Sequence, residues 1–137
     1  MKHFILICFS LFLFNCGSNP EEQLQYLNGY WEIKEATSNN VTKNYKYNEF
    51  IDFITLNDSL KGFKKKLKPT FDGTFLKTNV EEFLSINVED NRIILTYTSN
   101  FNTRKETVLK LTENELKIKN EADQIYLYKR YQPLELN

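Results

Sequence analysis

Few side chains in this sequence are suited to nucleophilic or metal-ion chemistry, and their positions limit what the chain can catalyse. The single histidine is His3, and the two cysteines are Cys8 and Cys16. The chain after Cys16 therefore has no Ser-His-Asp system, no Cys-His system and no Cys/His zinc site. Eighteen acidic residues are present, but no spacing among them singles out a carboxylate pair for glycoside hydrolysis. We expect no enzyme activity, no cofactor and no metal site.

A lysine-rich segment is the most concentrated charge in the chain. It contains Lys61, Lys64, Lys65, Lys66 and Lys68. One interpretation is an anion patch for phosphate headgroups or an acidic glycan. The other, which we favour, is the solvated edge of a sheet, where lysines oppose pairing between sheets. The whole chain has 18 basic and 18 acidic residues, so it lacks the strong positive field that is typical of nucleic-acid binders.

Aromatic residues supply the candidate ligand contacts. Tyrosine offers an apolar ring that can line a cavity and a hydroxyl that can orient a ligand. The candidates are Tyr45, Tyr47, Phe53, Tyr97, Tyr126 and Tyr128. A filled core with tyrosine hydroxyls at its rim fits the same pattern equally well.

The first sixteen residues have the anatomy of an export signal. An apolar run from Phe4 to Phe14 follows a short polar start; it is too short to span a bilayer as a helix. Leu13-Phe14-Asn15-Cys16 resembles the lipobox of bacterial lipoproteins. The resemblance implies cleavage before Cys16, a cysteine carrying acyl chains such as palmitate, and a stable membrane anchor. Residues 1–15 are then the signal peptide and residues 16–26 a lipidated tether with a short helical lead-in. In such lipoproteins an Asp after the cysteine is the usual inner-membrane retention signal. Gly17 stands at that position, so the resemblance implies the outer membrane, on its periplasmic face or at the cell surface.

The lead-in and the remaining chain differ in their periodicity. Asn19-Pro20, followed by two glutamates, predicts an N-cap and a short helical turn. After Gly29, apolar residues recur every second position and are separated by turn signals, of which Asp72-Gly73 is the strongest. Eight or nine strands at this spacing predict an all-β antiparallel meander that closes into an up-and-down barrel. One predicted turn, Asp58-Ser59-Leu60, resembles a bacterial O-glycosylation sequence.

The segment Leu27-Asn28-Gly29-Tyr30-Trp31-Glu32-Ile33 resembles the start of small bacterial lipocalin-like lipoproteins, L-x-G-x-W-x-I/L. The resemblance implies a lipocalin-like barrel over residues 27–132 and a C-terminal tail at 133–137. It also implies that Gly29 and Trp31 close one end of the barrel. A basic residue after the last strand is then expected to pack across the tryptophan, and Arg130 is our choice.

We therefore expect a membrane-anchored, monomeric, lipocalin-like lipoprotein that binds a small hydrophobic molecule inside its barrel. The alternative is a non-catalytic envelope module with a filled barrel and no ligand. An internal cavity above about 300 Å³ would favour the first, and a packed interior would favour the second.

Overall fold

The structure, a computed structural model, describes residues 19–100 and 102–133. Within these ranges, one short helix is followed by a single 3-10 turn and nine strands. They are α1 (Pro20–Gln23), the 3-10 turn (Leu24–Tyr26), β1 (Gly29–Ser38), β2 (Val41–Asn44), β3 (Ile51–Leu56), β4 (Lys61–Pro69), β5 (Phe75–Glu89), β6 (Arg92–Ser99), β7 (Asn102–Leu111), β8 (Glu115–Asn120) and β9 (Ile125–Arg130). In the described part of the chain, no helix is long and apolar enough to cross a membrane.

The helical lead-in forms as the sequence predicts. The Asn19 side chain accepts a hydrogen bond from the Glu21 amide at 3.1 Å, and Pro20 occupies the first helical turn. This arrangement satisfies one of the amides that a helix N-terminus leaves free. Leu24 and Leu27 are buried, so the lead-in is held by apolar contact with the core.

Eight strands close into an antiparallel barrel, as predicted. Strands β3 to β9 pair in sequence order, and β1 pairs with both β3 and β9. The β1–β9 pairing runs from Trp31–Arg130 to Thr37–Ile125. Strand β2 is extra: it pairs only with the second half of β1, from Glu35 to Ser38. Closure matters because it leaves these eight strands without an unpaired edge.

Two-residue turns set the registers of the hairpins. Asn39 and Asn40 both have positive φ, at 50° and 62°, and Asp90 and Asn91 repeat this at 49° and 64°. Two consecutive residues with positive φ are the mark of a type I′ turn, whose twist suits a hairpin. The predicted turn at Asp72-Gly73 also forms, with Gly73 at φ +83°.

The aromatic-rich segment between β2 and β3 is not a strand. Its aromatic and β-branched residues, from Tyr45 through Ile54, favour one extended stretch. The structure instead has β2 ending at Asn44 and β3 beginning at Ile51. The intervening segment, residues 45–50, is held by Asn48, whose amide nitrogen donates to the Ile33 carbonyl at 2.9 Å and to Glu32 Oε1 at 3.1 Å.

The core is apolar at the end of the barrel where β1 begins and the helical lead-in packs, which we call the closed end. Its buried members are Leu24, Leu27, Trp31, Ile54, Leu84, Ile86, Ile93, Leu95, Tyr97, Leu111, Leu116 and Ile118. They come from the lead-in and from six of the barrel strands, so one cluster ties distant parts of the sequence together. Toward the opposite end, the inward positions become charged.

Candidate functional site

The closed end is built around Trp31 and Arg130. Trp31 is 1% exposed, and its indole Nε1 donates to the Leu27 carbonyl at 2.9 Å. Arg130 lies directly opposite on β9, and its guanidinium carbon is 3.8 Å from the centre of the Trp31 ring. The cation–π contact expected from the sequence is therefore present, at a distance well within the usual 6 Å.

Arg130 also ties three backbone segments together. Its Nη1 donates to the Asn28 carbonyl at 2.8 Å, its Nη2 to the Tyr26 carbonyl at 2.6 Å and its Nε to the Glu113 carbonyl at 2.9 Å. Burial lowers the pKa of its guanidinium below the usual value for arginine, although the group stays charged at neutral pH. One side chain thus joins the lead-in, the start of β1 and the β7–β8 turn.

Gly29 is required by this arrangement. Its φ is +122°, a conformation that side-chain-bearing residues rarely adopt, and an added Cβ would lie 2.6 Å from Arg130 Nη1. The Gly-x-Trp spacing therefore has a direct structural reason: the glycine leaves room for the arginine that covers the tryptophan.

A cavity lies where β1 separates from β3. These strands pair only up to Trp31–Asp52, and β1 pairs with β2 from Glu35 onward. The space at this junction is about 150 Å³. It is lined by Trp31, Ile33, Tyr45, Phe50, Ile51, Asp52, Lys66, Tyr126 and Tyr128. The lining residues belong to β1, β3, β4, β9 and the 45–50 segment. The cavity therefore lies between the barrel strands and the 45–50 segment.

Asp52 is the buried charge of this cavity. It is 7% exposed, and two lysines of β4 flank it: Lys66 Nζ is 3.2 Å from Oδ1 and Lys64 Nζ is 4.0 Å from Oδ2. The Lys66 contact is an ion pair without hydrogen-bond geometry, and Oδ1 has no hydrogen-bond partner among the described residues. An acceptor this deeply buried is normally hydrogen-bonded.

A second charged cluster fills the interior beside the cavity. Arg104 donates to both oxygens of Glu82, at 2.7 and 3.1 Å, and to Glu106 Oε1. Its guanidinium carbon is 4.2 Å from the centre of the Tyr97 ring, and Lys64 Nζ is 4.7 Å from the same ring. Glu106 is 5% exposed and its Oε2 has no hydrogen-bond partner among the described residues.

The buried tyrosines respond to these charges. Burial, and secondarily the Glu106 carboxylate, raises the pKa of Tyr97 well above its usual 10.0. Burial and then Asp52 raise the pKa of Tyr128 in the same direction. Both phenols are therefore neutral over the physiological pH range and keep their hydroxyl protons.

The structure brings together only part of the predicted aromatic set. Tyr45, Tyr126 and Tyr128 line the cavity, while Tyr97 is buried beneath Lys64 and Arg104. Tyr47 does not line it: in the 45–50 segment it is 94% exposed.

Phe53, another candidate ligand contact, does not line the cavity either. It lies opposite Tyr30 on the outer face of the sheet, with ring centres 4.7 Å apart. The reason is the period of two along β3, which turns Asp52 and Ile54 inward and Phe53 outward.

The five lysines do not form one anion patch. Because successive side chains alternate across a strand, Lys64 and Lys66 face the interior and Lys65 faces outward, where it lies 3.8 Å from Glu81. Lys68 pairs with Glu49 at 2.7 Å, and Lys61 is exposed at the start of β4. The sheet-edge interpretation is wrong as well, since β4 is paired on both sides, with β3 and β5.

Asp52, Glu82, Arg104 and Glu106 were missed by the sequence analysis. A usable signal was present for Asp52, the only charge inside the apolar run from Phe50 to Ile54. A charge in such a run must be paired or partly solvated to be tolerated. Across residues 19–100 and 102–133, no group of three or more His, Cys, Asp or Glu side chains is placed to hold a metal ion. Cys16 lies outside the described residues, and Ser59 is exposed in the β3–β4 turn.

Comparison with known proteins agrees with this architecture. The family model described as "Lipocalin-like domain" matches residues 27–118. A lipocalin-like protein from Bacteroides uniformis superposes with a TM-score of 0.51 at 12% identity, covering 77% of this chain and 99% of its own. An uncharacterized protein from Bacteroides eggerthii gives a TM-score of 0.48 at 15% identity, covering 76% and 98%. No curated protein matches the sequence. Since the family model spans most of the barrel, this chain belongs to the lipocalin-like domain family.

Proposed function

We propose that this chain is a membrane-anchored binding protein whose ligand occupies the cavity between Trp31, Asp52 and Tyr128. The observation that carries the proposal is a cavity with aromatic walls and a buried, incompletely bonded carboxylate in a closed barrel. Ligand sites are typically apolar cavities with a few well-placed polar groups. The lipocalin-like fold is typically a non-enzymatic binding fold, and the matching family model is not that of a catalytic family, so we propose binding without chemistry.

The volume of the cavity limits the size of the ligand. Its volume of about 150 Å³ is half of the volume, about 300 Å³, above which a cavity would favour ligand transport. An engineered protein cavity of about 150 Å³ holds benzene. The ligand is therefore about the size of one aromatic ring, unless the 45–50 segment moves aside to admit a longer one.

A second candidate function is an envelope interaction module without a ligand. The Arg104 cluster favours it, because this side chain with Glu82, Glu106 and Tyr97 fills the interior next to the cavity. In that case the barrel would act through its outer face. The two candidates differ in a single property, namely whether the cavity at Asp52 is occupied in the cell.

Native mass spectrometry of protein purified from its own host tests the choice. The proposed function predicts a discrete added mass of a small molecule on the wild-type chain. Ile33→Phe, which would fill the cavity, is expected to lose that mass, whereas Val41→Phe on the exposed extra strand is the matched control and keeps it. A wild-type protein without any added mass would favour the interaction module.

We also propose that Cys16 carries the acyl chains that anchor the barrel to the outer membrane. The support is the apolar run before Cys16 and its lipobox-like sequence. Labelled palmitate is expected to enter the wild-type chain and the Cys8→Ser control, and Cys16→Ser is expected to lose both label and membrane association. If Cys16→Ser still sediments with outer membranes and takes up label, the anchor is elsewhere.

A further inference from the structure

The Asp52 carboxylate lies in the cavity wall, and its ion-pair partners among the described residues are Lys66 and Lys64. Residue 52 lines the cavity, and its Oδ1 is inaccessible to solvent and lacks a hydrogen-bond partner among the described residues. Lys66 Nζ lies 3.2 Å away and supplies positive charge, but not a well-directed N–H. The two lysines therefore place positive charge beside the carboxylate without donating a directed hydrogen bond to Oδ1.

The rest of the cavity wall offers rings and an aliphatic side chain to an occupant. Trp31, Tyr126 and Tyr128 contribute aromatic rings, and Ile33 contributes an aliphatic group. Such walls pack against a flat apolar ring. An occupant that is apolar throughout would leave the buried carboxylate oxygen unsatisfied, which costs free energy.

We infer that the cavity selects a ring-sized compound bearing a hydroxyl or amino hydrogen-bond donor, which donates to the Asp52 carboxylate while its ring packs between Trp31 and Tyr128. This inference rests on the proposed function and names the class of ligand for the same cavity. It separates the ligand from a plain hydrocarbon by one directed hydrogen bond to the Asp52 carboxylate.

Phenol and toluene test this directly, because both have seven heavy atoms and only phenol can donate. Their affinities for the purified full chain are measured by calorimetry at neutral pH. In a wholly apolar cavity toluene would bind more tightly, since phenol gives up its hydrogen bonds to water. A charge-assisted hydrogen bond to Asp52 is expected to reverse this order and favour phenol by about tenfold or more.

Substitutions at Asp52 assign the preference to that residue. Asp52→Leu is expected to make toluene the tighter ligand. Asp52→Asn keeps the shape of the side chain but removes its charge. It is expected to reduce the ratio of phenol affinity to toluene affinity. This variant also tests the inference if Asp52→Leu does not fold. Lys65→Met is the matched control on the outward face of the same strand, away from the cavity, and it is expected to retain the preference.

The remaining outcomes are distinguishable. Toluene binding as tightly as phenol in the wild-type chain would overturn the donor inference and leave the proposed function standing. Benzoate binding more tightly than phenol, with the preference lost in Lys66→Met, would overturn it in favour of an anion site at the lysine. If none of the three probes binds, a ring-sized ligand in this cavity is excluded, and the proposed function fails with the inference.

Discussion

The guanidinium of Arg130 lies 3.8 Å from the centre of the Trp31 ring, across the strand pair that closes the barrel. Trp31 also lines the cavity beside Asp52. The residue that seals the closed end is therefore also a wall of the candidate ligand site. A change at Trp31 should alter the stability of the barrel and the binding of a ligand together.

The Arg130–Trp31 contact should be measurable as a coupling energy. Replacing Trp31 with Ala is expected to cost about 3–5 kcal/mol of unfolding free energy, because a large buried ring is lost. A double-mutant cycle with Trp31→Leu and Arg130→Met, each of which removes the cation–π contact, is expected to give a coupling of about 1–2 kcal/mol. Urea denaturation provides both values. If Trp31→Ala keeps the melting temperature of the wild type, the tryptophan does not close the barrel.

Gly29 and Gly73 form a matched pair for testing the space beside Arg130. Both have positive φ, but an added Cβ meets Arg130 Nη1 at 2.6 Å only at position 29, and nothing within 4 Å at position 73. Gly73→Ala is expected to cost about 1 kcal/mol of backbone strain, and Gly29→Ala about 2–3 kcal/mol. Thermal or urea unfolding compares them. Equal losses in the two variants would show that Arg130 does not restrict position 29.

Arg104 forms ion pairs with two carboxylates inside the barrel, those of Glu82 and Glu106. Arg104→Met would leave Glu82 and Glu106 facing each other without their cation, and Glu106 is almost fully buried. We expect a loss of about 2–3 kcal/mol, below the 3–5 kcal/mol of a fully buried pair because Arg104 is partly exposed. Arg92→Met, at an exposed position, is the control and should stay within about 0.5 kcal/mol of the wild type. Adding Glu106→Gln to Arg104→Met should recover part of the loss; no recovery would argue against the pairing.

The barrel should lose stability in alkali through its buried tyrosines. Burial raises the pKa of Tyr97 above the unfolded value of 10.0, so the unfolded chain releases this proton first as the pH rises. The contribution of Tyr97 to stability is then fully present below pH 10 and is lost at higher pH, at up to about 1.4 kcal/mol per pH unit. Urea titrations at pH 9, 10 and 11 measure this slope. Tyr97→Phe should have a shallower slope than the wild type, and an unchanged slope would mean that Tyr97 ionises as freely in the fold as outside it.

Much of the fold was predictable because its signals are local. The period of two, the turn dipeptides such as Asp90-Asn91 and the Asn19-Pro20 cap each depend on a few neighbouring residues. In the same way, the Gly29-x-Trp31 spacing predicted which residues form the closed end. These features required no knowledge of which strands pair.

The site depended on register and was therefore harder to predict. Whether Phe53 or Asp52 faces inward depends on the phase of β3, and a shift of one residue would exchange them. The pairing of Asp52 with Lys66 follows from the β3–β4 register, which places them directly opposite. Tyr47 does not line the cavity for another reason. It lies in a segment that pairs with no strand, so its strand propensity does not place it in the sheet.

The central claim is that the cavity beside Asp52 is a binding site, and the indole resonance of Trp31 tests it most directly. Trp31 is the only tryptophan in the chain, so its Nε1–H gives a single, assignable signal in a ¹H–¹⁵N spectrum. Titration with phenol is expected to shift this signal saturably, together with the amides of Ile33, Asp52 and Tyr128. Phe63 and Phe83 are paired across β4 and β5 and are exposed. An unmoved indole signal up to the solubility limit of phenol, or shifts confined to such exposed residues, would contradict the account.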